Sequence, residues 1–301
     1  MSDRFVFVTG ANSNYFWLVN AAVESLSEQA PDLDIRVMDF GFTPEQARFF
    51  STQGRLLPRP FEIPANLHPY TLKTCFGLYV RELQVKNFAW FDSDMLCLDP
   101  AISSVAALFD DMTATGKKFA ACPDMGPNPT LSRFASAFHA PALAHFAAEH
   151  PGHADLRYLN TGFVLFADAH EFLTQWPRLT AKIQGEVCID QNAFNILFYS
   201  NASQGMILNP KRWNAHSALL GETHTKNNQV FCGDERVALL HCTSHQNVFH
   251  DELTIGLKVA GVTVPARFKT FREENLRRLH LAALERFLRK NAAGLKASGA
   301  V

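Results

Sequence analysis

Asn87-Phe88-Ala89-Trp90-Phe91-Asp92-Ser93-Asp94-Met95-Leu96-Cys97-Leu98-Asp99-Pro100 is the stretch whose reading decides the fold. Apolar and aromatic residues run from Phe88 to Phe91 straight into two acids, and a second apolar run follows before Asp99-Pro100 stops it. A continuous apolar run of strand length is what a sheet covered on both faces requires, and the carboxyl end of such a strand is where open α/β sheets place ligands. Two carboxylates one residue apart at a rigid strand end can share a hard divalent cation that also takes phosphate oxygens. The plainer reading is a polar loop in which Asp92 or Asp94 serves a turn, and so short a motif does not separate the two.

Working outward, Phe5-Val6-Phe7-Val8-Thr9 reads as a strand closed by Gly10-Ala11-Asn12-Ser13-Asn14, and Tyr15 to Gln29 carries apolar residues at helical spacing. Ile35 to Phe40 supplies a second strand, so the chain opens as a βαβ unit. Asn12, Asn14 and Tyr15 then fall at the carboxyl end of the first strand, where a nucleotide can be held, although one of the asparagines is also expected to cap the helix. Thr43-Pro44-Glu45 opens a short helix, and the prolines from Pro58 to Pro64 form an extended connector. Tyr70 to Leu83 reads as a helix that brings Lys73 and Arg81 ahead of the Asp92 strand. Phe119 to Cys122 is a further buried strand ending at Asp124, which with the helical Ile102 to Met112 continues the strand and helix alternation.

Gly126 to Asp155 loosens into a Pro- and His-containing segment, read as a substrate-facing insertion rather than a core element. Tyr158 to Phe166 is an apolar strand entered through Asn160-Thr161-Gly162. Asp190-Gln191 open a helix, with Asp190 at a position suited to an N-cap. Met206 to Leu208 and Val237 to Leu240 are short strands, the second ending in His241, with Lys211, Arg212 and Trp213 between them. The tail carries Leu276, Leu279, Ala283 and Phe287 at helical spacing among many arginines and lysines. Such a basic amphipathic helix can lie on an anionic membrane surface or pack as a solvated helix. The expected organisation is a main domain over residues 1–260 and a basic helical tail over 261–301.

With 301 residues, 47% of them hydrophobic, the chain can bury a large core. A formal net charge of -1 gives no global attraction to nucleic acid, and none is expected as a partner. The apolar part of the opening Phe5-Val6-Phe7-Val8 is too short for a signal peptide, and no run approaches transmembrane length. The six cysteines are scattered without Cys-x-x-Cys spacing and read as core residues of a reducing, cytoplasmic compartment.

The ordered pieces Asn14-Tyr15, Trp90-Phe91-Asp92-Ser93-Asp94, Asn160-Thr161-Gly162-Phe163-Val164-Leu165-Phe166, Cys188-Ile189-Asp190-Gln191-Asn192 and Leu239-Leu240-His241 resemble a GT-A glycosyltransferase, most of all glycosyltransferase family 8 and its relatives. They span the chain up to about its last fifth. The resemblance implies a Rossmann-like, mostly parallel sheet flanked by helices. It also implies metal-dependent transfer of a sugar from a nucleotide sugar, UDP-sugar favoured, to a glycan or other hydroxyl acceptor in bacterial surface-glycan synthesis. Asp92, Asp94 and His241 would hold Mn²⁺ or Mg²⁺, with Asp92 dividing its interactions between metal and ribose. Tyr15 would stack on the base with Asn12 or Asn14 beside it, and Asn160 would touch sugar or acceptor. Asp190 and Gln191 match the family's catalytic pair, placed where a retaining enzyme keeps a group facing the anomeric carbon. One departure stands out: the family's histidine is usually followed by Gly and then Lys-Pro-Trp, whereas His241 here leads into Cys242-Thr243-Ser244-His245-Gln246-Asn247. The phosphate grip must then come from Lys73, Lys211, Arg212 or Lys226.

Three rival readings remain open on sequence. The strand before Asp92-Ser93-Asp94 also resembles a haloacid-dehalogenase phosphatase signature, which normally sits on the first strand and needs a later lysine and acid pair. Cys232, Cys242, His245 and His250 include metal-ligating types, but at the spacing of no common zinc finger. A non-catalytic sugar-binding protein on the same fold is the third.

Overall fold

Side chains alternate across a strand, so a strand buried on both faces feeds two cores at once. In the computed structural model, which describes residues 5–62, 68–150, 152, 155–227, 229–243, 251–259, 262–271 and 273–301, the apolar runs behave in this way. The chain runs β1 (Phe5–Ala11), α1 (Phe16–Gln29), β2 (Ile35–Asp39), α2 (Pro44–Thr52), β3 (Leu56–Leu57), α3 (Pro69–Thr74), α4 (Phe76–Val80), β4 (Asn87–Phe91), β5 (Met95–Cys97) and α5 (Val105–Ala114). It continues through β6 (Phe119–Pro123), α6 (Leu131–Phe138), α7 (Pro141–Glu149), β7 (Leu159–Ala167), α8 (His170–Lys182), α9 (Ile189–Ser200), β8 (Gly205–Ile207) and α10 (Pro210–Trp213). The last part holds β9 (Thr223–Lys226), β10 (Gln229–Cys232), β11 (Glu235–Arg236), β12 (Leu239–His241), β13 (Asp251–Val259), β14 (Val262–Thr270) and α11 (Glu274–Ser298).

Seven strands form one sheet in the order β3-β2-β1-β4-β7-β6-β8. All adjacent pairs are parallel except those made by β7, which runs antiparallel to β4 and β6. Ala89 and Phe91 of β4 enter one core with Phe7, Phe163, Leu165 and the helices α1, α5 and α11. Phe88 and Trp90 enter the other with Val6, Val8, Val164, Phe166 and the helices α4 and α6 to α9. The sheet is thus the expected mostly parallel α/β layer with helices on both faces. The chain goes from β1 outward to β2 and β3, then returns to the opposite side of β1 as β4. That reversal between β1 and β4 is the topological switch point, where open α/β sheets form a ligand crevice.

Local signals explain the helix starts. Thr43 and Gln46 make a reciprocal capping box at α2. The Tyr70 to Leu83 helix is broken in two at Cys75, where α3 ends and α4 begins. Asn12 caps the short 3-10 turn before α1 by accepting from the Asn14 amide at 3.1 Å.

One segment differs from its sequence reading, and in another the packing alternative is the one observed. Residues 126–155 hold α6 and α7 rather than an open insertion: Leu131 and Leu143 are fully buried, and Phe134 stacks on the ring of Tyr158 with centroids 3.7 Å apart. Histidines and prolines masked an apolar face that two short helices are enough to bury. At the other end, the apolar stripe of α11 (Leu276, Ala283, Leu284, Phe287, Leu288, Leu295) is buried in the α1 side of the core. Phe287 meets Phe49 of α2 edge to face at 5.7 Å, and Lys290 and Arg286 pair with Glu24 and Glu28 of α1. No described helix is long and apolar enough to cross a membrane.

Because Phe287 is 3% exposed and bridges α11 to α2, Phe287→Ala is expected to destabilise the protein by about 3–5 kcal/mol. Urea unfolding followed by tryptophan fluorescence measures the loss; a change under 1 kcal/mol contradicts the docking of α11 on the core.

Candidate active site

β4 ends at Phe91, and Asp92-Ser93-Asp94 turn the chain into β5. The Asp92 amide donates to the Gly162 carbonyl (2.8 Å) of neighbouring β7, which seats the turn at the sheet edge. β5 then pairs antiparallel with β12, and the register sets His241 opposite Met95. The Cys242 amide closes the ladder on the Asp94 carbonyl at 2.9 Å. His241, remote in sequence, is carried against the acids by this pairing.

His241 Nε2 lies 3.2 Å from Asp94 Oδ1 and 3.8 Å from Asp92 Oδ2. One ligand atom from each of the three residues falls within 4.8 Å of the others, a spacing suited to a shared cation. The packing behind the imidazole is tight. A Cβ on Gly162 would sit 2.4 Å from His241 Cε1 and 2.6 Å from Nδ1, so only glycine leaves room for the ring. Asp92 divides its oxygens. Its Oδ1 accepts from Trp90 Nε1 and from Lys73 Nζ, both at 2.7 Å, leaving Oδ2 facing His241.

Lys73 is buried, and its ammonium spans the floor of the site. Besides Asp92 it donates to the Thr161 carbonyl (2.8 Å) and hydroxyl (3.1 Å), lies 3.6 Å from Asp190 Oδ2 and sits over the Trp90 ring. Asp190 is on the first turn of α9, where Cys188 rather than Asp190 holds the N-cap position, in a left-handed conformation. Burial pushes the Asp190 carboxyl above the ordinary range; Lys73 opposes this, and the charge of Asp92 adds to it. Thr161 Oγ1 donates to Asp190 at 3.2 Å, and Trp176 Nε1 donates to the Asp190 carbonyl at 2.8 Å. Gln191 accepts from the Thr161 amide at 3.2 Å.

Asn160 starts a second polar chain. Its Oδ1 accepts from the Gly162 amide and from Asn214 Nδ2, both at 2.8 Å, while its Nδ2 donates to Asp124 at 3.2 Å. Asp124 also lies 3.7 Å from His216, which accepts from the Met125 amide. Asp92, Asp94, His241, Lys73, Asn160, Asp190 and Gln191 therefore form one contiguous polar cluster. Asn12, Asn14 and Tyr15 stand apart in hydrogen bonding but share the same edge: Ala11 pairs with Asp39 and Val8 with Trp90, so the ends of β1, β2 and β4 lie side by side. Tyr15 is exposed there.

Other basic candidates sit elsewhere. Lys211 pairs with Glu222 at 2.6 Å, Arg212 lies over Trp213, Lys226 is solvent-facing on β9, and Arg81 lies 3.9 Å from Glu82. Cys232 is buried with its thiol on the Leu219 carbonyl and Cys242 is buried, while His245 and His250 of the zinc reading lie outside the described residues. Residues that sequence reading missed include Thr161, Asn214, Asp124, His216 and Trp90. Asp39 is another, capping the loop after β2 by accepting from the Gly41 and Phe42 amides at 2.8 Å. Tyr70, exposed at the rim, has its hydroxyl raised by partial burial and then by the field of Asp190, Asp94 and Asp92. Trp90 and Thr161 fall inside motif stretches without a role of their own there, and the others belong to no short motif, so no local signal announces them.

The backbone architecture resembles a set of solved enzymes. The galactosyltransferase LgtC, determined in complex with donor and acceptor sugar analogues, superposes with a TM-score of 0.51 at 18% identity over 80% of this chain and 90% of its own. The fold is that of the GT-A glycosyltransferases. The glycosyltransferase GlyE of Streptococcus pneumoniae TIGR4 gives 0.54 at 13% identity, covering 98% of this chain and 64% of GlyE. The bifunctional WbbM gives 0.52 at 13%, covering 80% and 46%. No family model and no curated protein matches the chain. The GT-A likeness fixes architecture, and at these identities chemistry has to be argued from the side chains.

Replacing Lys73 by methionine leaves two carboxylates facing each other, one of them fully buried. Lys73→Met is expected to cost about 3–5 kcal/mol at pH 7. Without the cation Asp190 is raised further by burial and by Asp92, so the folded state holds its proton more tightly than the unfolded state does. The deficit against the parent must then shrink as pH falls into the carboxylate range. Paired urea titrations at neutral and mildly acidic pH read both effects; a pH-independent deficit contradicts this assignment.

Proposed function

We propose that this chain is a glycosyltransferase that moves a sugar from a nucleotide sugar, a UDP-sugar in particular, to an acceptor hydroxyl with Mn²⁺ or Mg²⁺ at Asp92, Asp94 and His241. The observation that carries this is the triad itself: two carboxylates and an imidazole converge within 4.8 Å at the switch point of a GT-A sheet. The donor chemistry fits. Two oxygen ligands and one imidazole suit Mn²⁺, and Oδ2 of Asp92 is left facing the triad because Lys73 and Trp90 hold Oδ1. A bound divalent cation supplies charge neutralisation for a departing diphosphate. The rest falls to the protein. Tyr15 stacks on the base with Asn12 and Asn14 near it. Asp190 and Gln191 serve the reacting sugar, Asp190 held in place by Lys73 and Thr161, and Asn160 fixes sugar or acceptor. Retention of configuration belongs to the same proposal, with Asp190 as the group that would face the anomeric carbon, and bacterial surface glycan is the acceptor class in view, with the protein acting on the cytoplasmic side. Lys73 already spends its donors inside the protein, so its part in donor grip is to hold Asp92 and Asp190 rather than to reach out.

The phosphatase alternative finds no support: the acidic pair follows β4, a central strand reached after three others, and its nearest lysine is an ion-pair partner. Contact with an anionic membrane is proposed to be electrostatic only, through Arg277, Arg278, Arg289 and Lys296, because the apolar stripe of α11 is consumed by the core. We expect any association with anionic vesicles to disappear at about 0.5 M salt, where the Debye length is only a few ångströms. Salt-resistant cosedimentation would instead require apolar insertion.

Asp94→Asn keeps the size of the side chain and removes a ligand charge. It is expected to lower Mn²⁺-dependent transfer or donor hydrolysis at least a hundredfold while leaving the circular dichroism spectrum unchanged. A panel of nucleotide sugars scored by thermal shift with and without Mn²⁺ identifies the donor, since a ligand of the folded state raises its apparent stability. Full activity of Asp94→Asn would remove the metal assignment.

A further inference from the structure

Hydrogen-bond direction in the second polar chain can be read from one fixed donor. The Gly162 backbone N–H has only one possible role, so the Asn160 atom it meets at 2.8 Å is the oxygen. The same oxygen is 2.8 Å from an Asn214 amide atom, which must then be the nitrogen. That leaves Asn214 Oδ1 facing His241 Nδ1 at 2.8 Å, and an oxygen there can only accept. Nδ1 therefore carries the proton, and the lone pair of a neutral imidazole lies on Nε2, the atom 3.2 Å from Asp94.

Asn214 is well placed to enforce this. It is fully buried, and the next residue is tied to β12 through both backbone groups: the Ala215 amide donates to the Leu239 carbonyl at 3.0 Å and the His241 amide to the Ala215 carbonyl at 2.8 Å. Gly162, with no side chain, lets the imidazole settle against β7, and the same residue's N–H starts the chain that orients Asn214. A single glycine thus sets both the room for the ring and, through Asn160 and Asn214, its tautomer.

We infer that Asn214 is a positioning residue that holds His241 as the Nδ1–H tautomer and so presents Nε2 to the cation proposed at Asp92 and Asp94. The inference rests on that metal reading for its consequence, but the tautomer is a property of the metal-free protein. Outer partners of this kind commonly change metal affinity by about 10- to 100-fold when removed.

Long-range ¹⁵N–¹H correlation spectra of ¹⁵N-histidine-labelled protein, metal-free and at mildly alkaline pH, report the tautomer directly, with His241 assigned by its loss in His241→Gln. The expected result is a protonated Nδ1 and an unprotonated Nε2; a dominant Nε2–H form overturns the inference without any variant being needed. Asn214→Ala should shift His241 toward a tautomer mixture and weaken Mn²⁺ binding, measured by titration calorimetry, about 10- to 100-fold. Unchanged Mn²⁺ affinity in Asn214→Ala overturns the proposal. If the parent protein shows the Nδ1–H tautomer yet binds no Mn²⁺, the metal reading fails while the hydrogen-bond assignment stands.

Discussion

The three-residue antiparallel pairing of β5 with β12 is the interaction on which the site depends. Phe91 to Met95 is a tight turn from one sheet into another, and only the register that sets His241 opposite Met95 brings the imidazole to the acids. A slip of one residue would turn the histidine to the other face, because side chains alternate along a strand. The register has buried apolar partners to defend it: Leu239, Leu240, Met95 and Leu96 are each about 1% exposed or less. Hydrophobic burial on both faces of this small ladder therefore specifies the polar geometry at its end.

Behind the ladder lies a costly arrangement. Lys73, Asp190, Asn160, Gln191, Asn214 and His241 are all buried, and a buried ion pair often contributes little net stability against an apolar replacement. Such a cluster is tolerable because nearly every polar atom has a partner, and the partners come from elements that the two cores have already fixed. Lys73 illustrates this. Its three hydrogen-bond acceptors come from β7 and the turn after β4, so its position reports the mutual placement of α3, β4, β7 and α9.

The sequence carried much of this. The alternation of apolar runs with helical periods gave the α/β layer, and Asp92-Ser93-Asp94 stood out because two acids closing an apolar run can share a cation as well as serve a turn. The readings that failed did so for a shared reason, which is that sequence shows which face is apolar but not what covers it. The His- and Pro-containing segment looked open until α6 and α7 folded onto Tyr158, and the basic tail left a membrane and a packing reading open until its stripe met α1 and α2. Asp190, suited by type to a cap, instead sits inside the first turn beside Lys73, because Cys188 takes the left-handed N-cap position.

What the sequence by itself determined was the βαβ opening and the strand-helix alternation of the main sheet, the acids at the end of a central strand, and the candidate residues on which a family likeness rests. These are local properties: period, run length and residue type within a dozen positions. Tertiary structure alone decided that His241 meets Asp94, that Lys73 is spent between Asp92 and Asp190, and that Asn214 and Gly162 lie against the imidazole. Such contacts join residues tens to well over a hundred positions apart, and no pattern in one chain records which strand register or helix packing will bring them together.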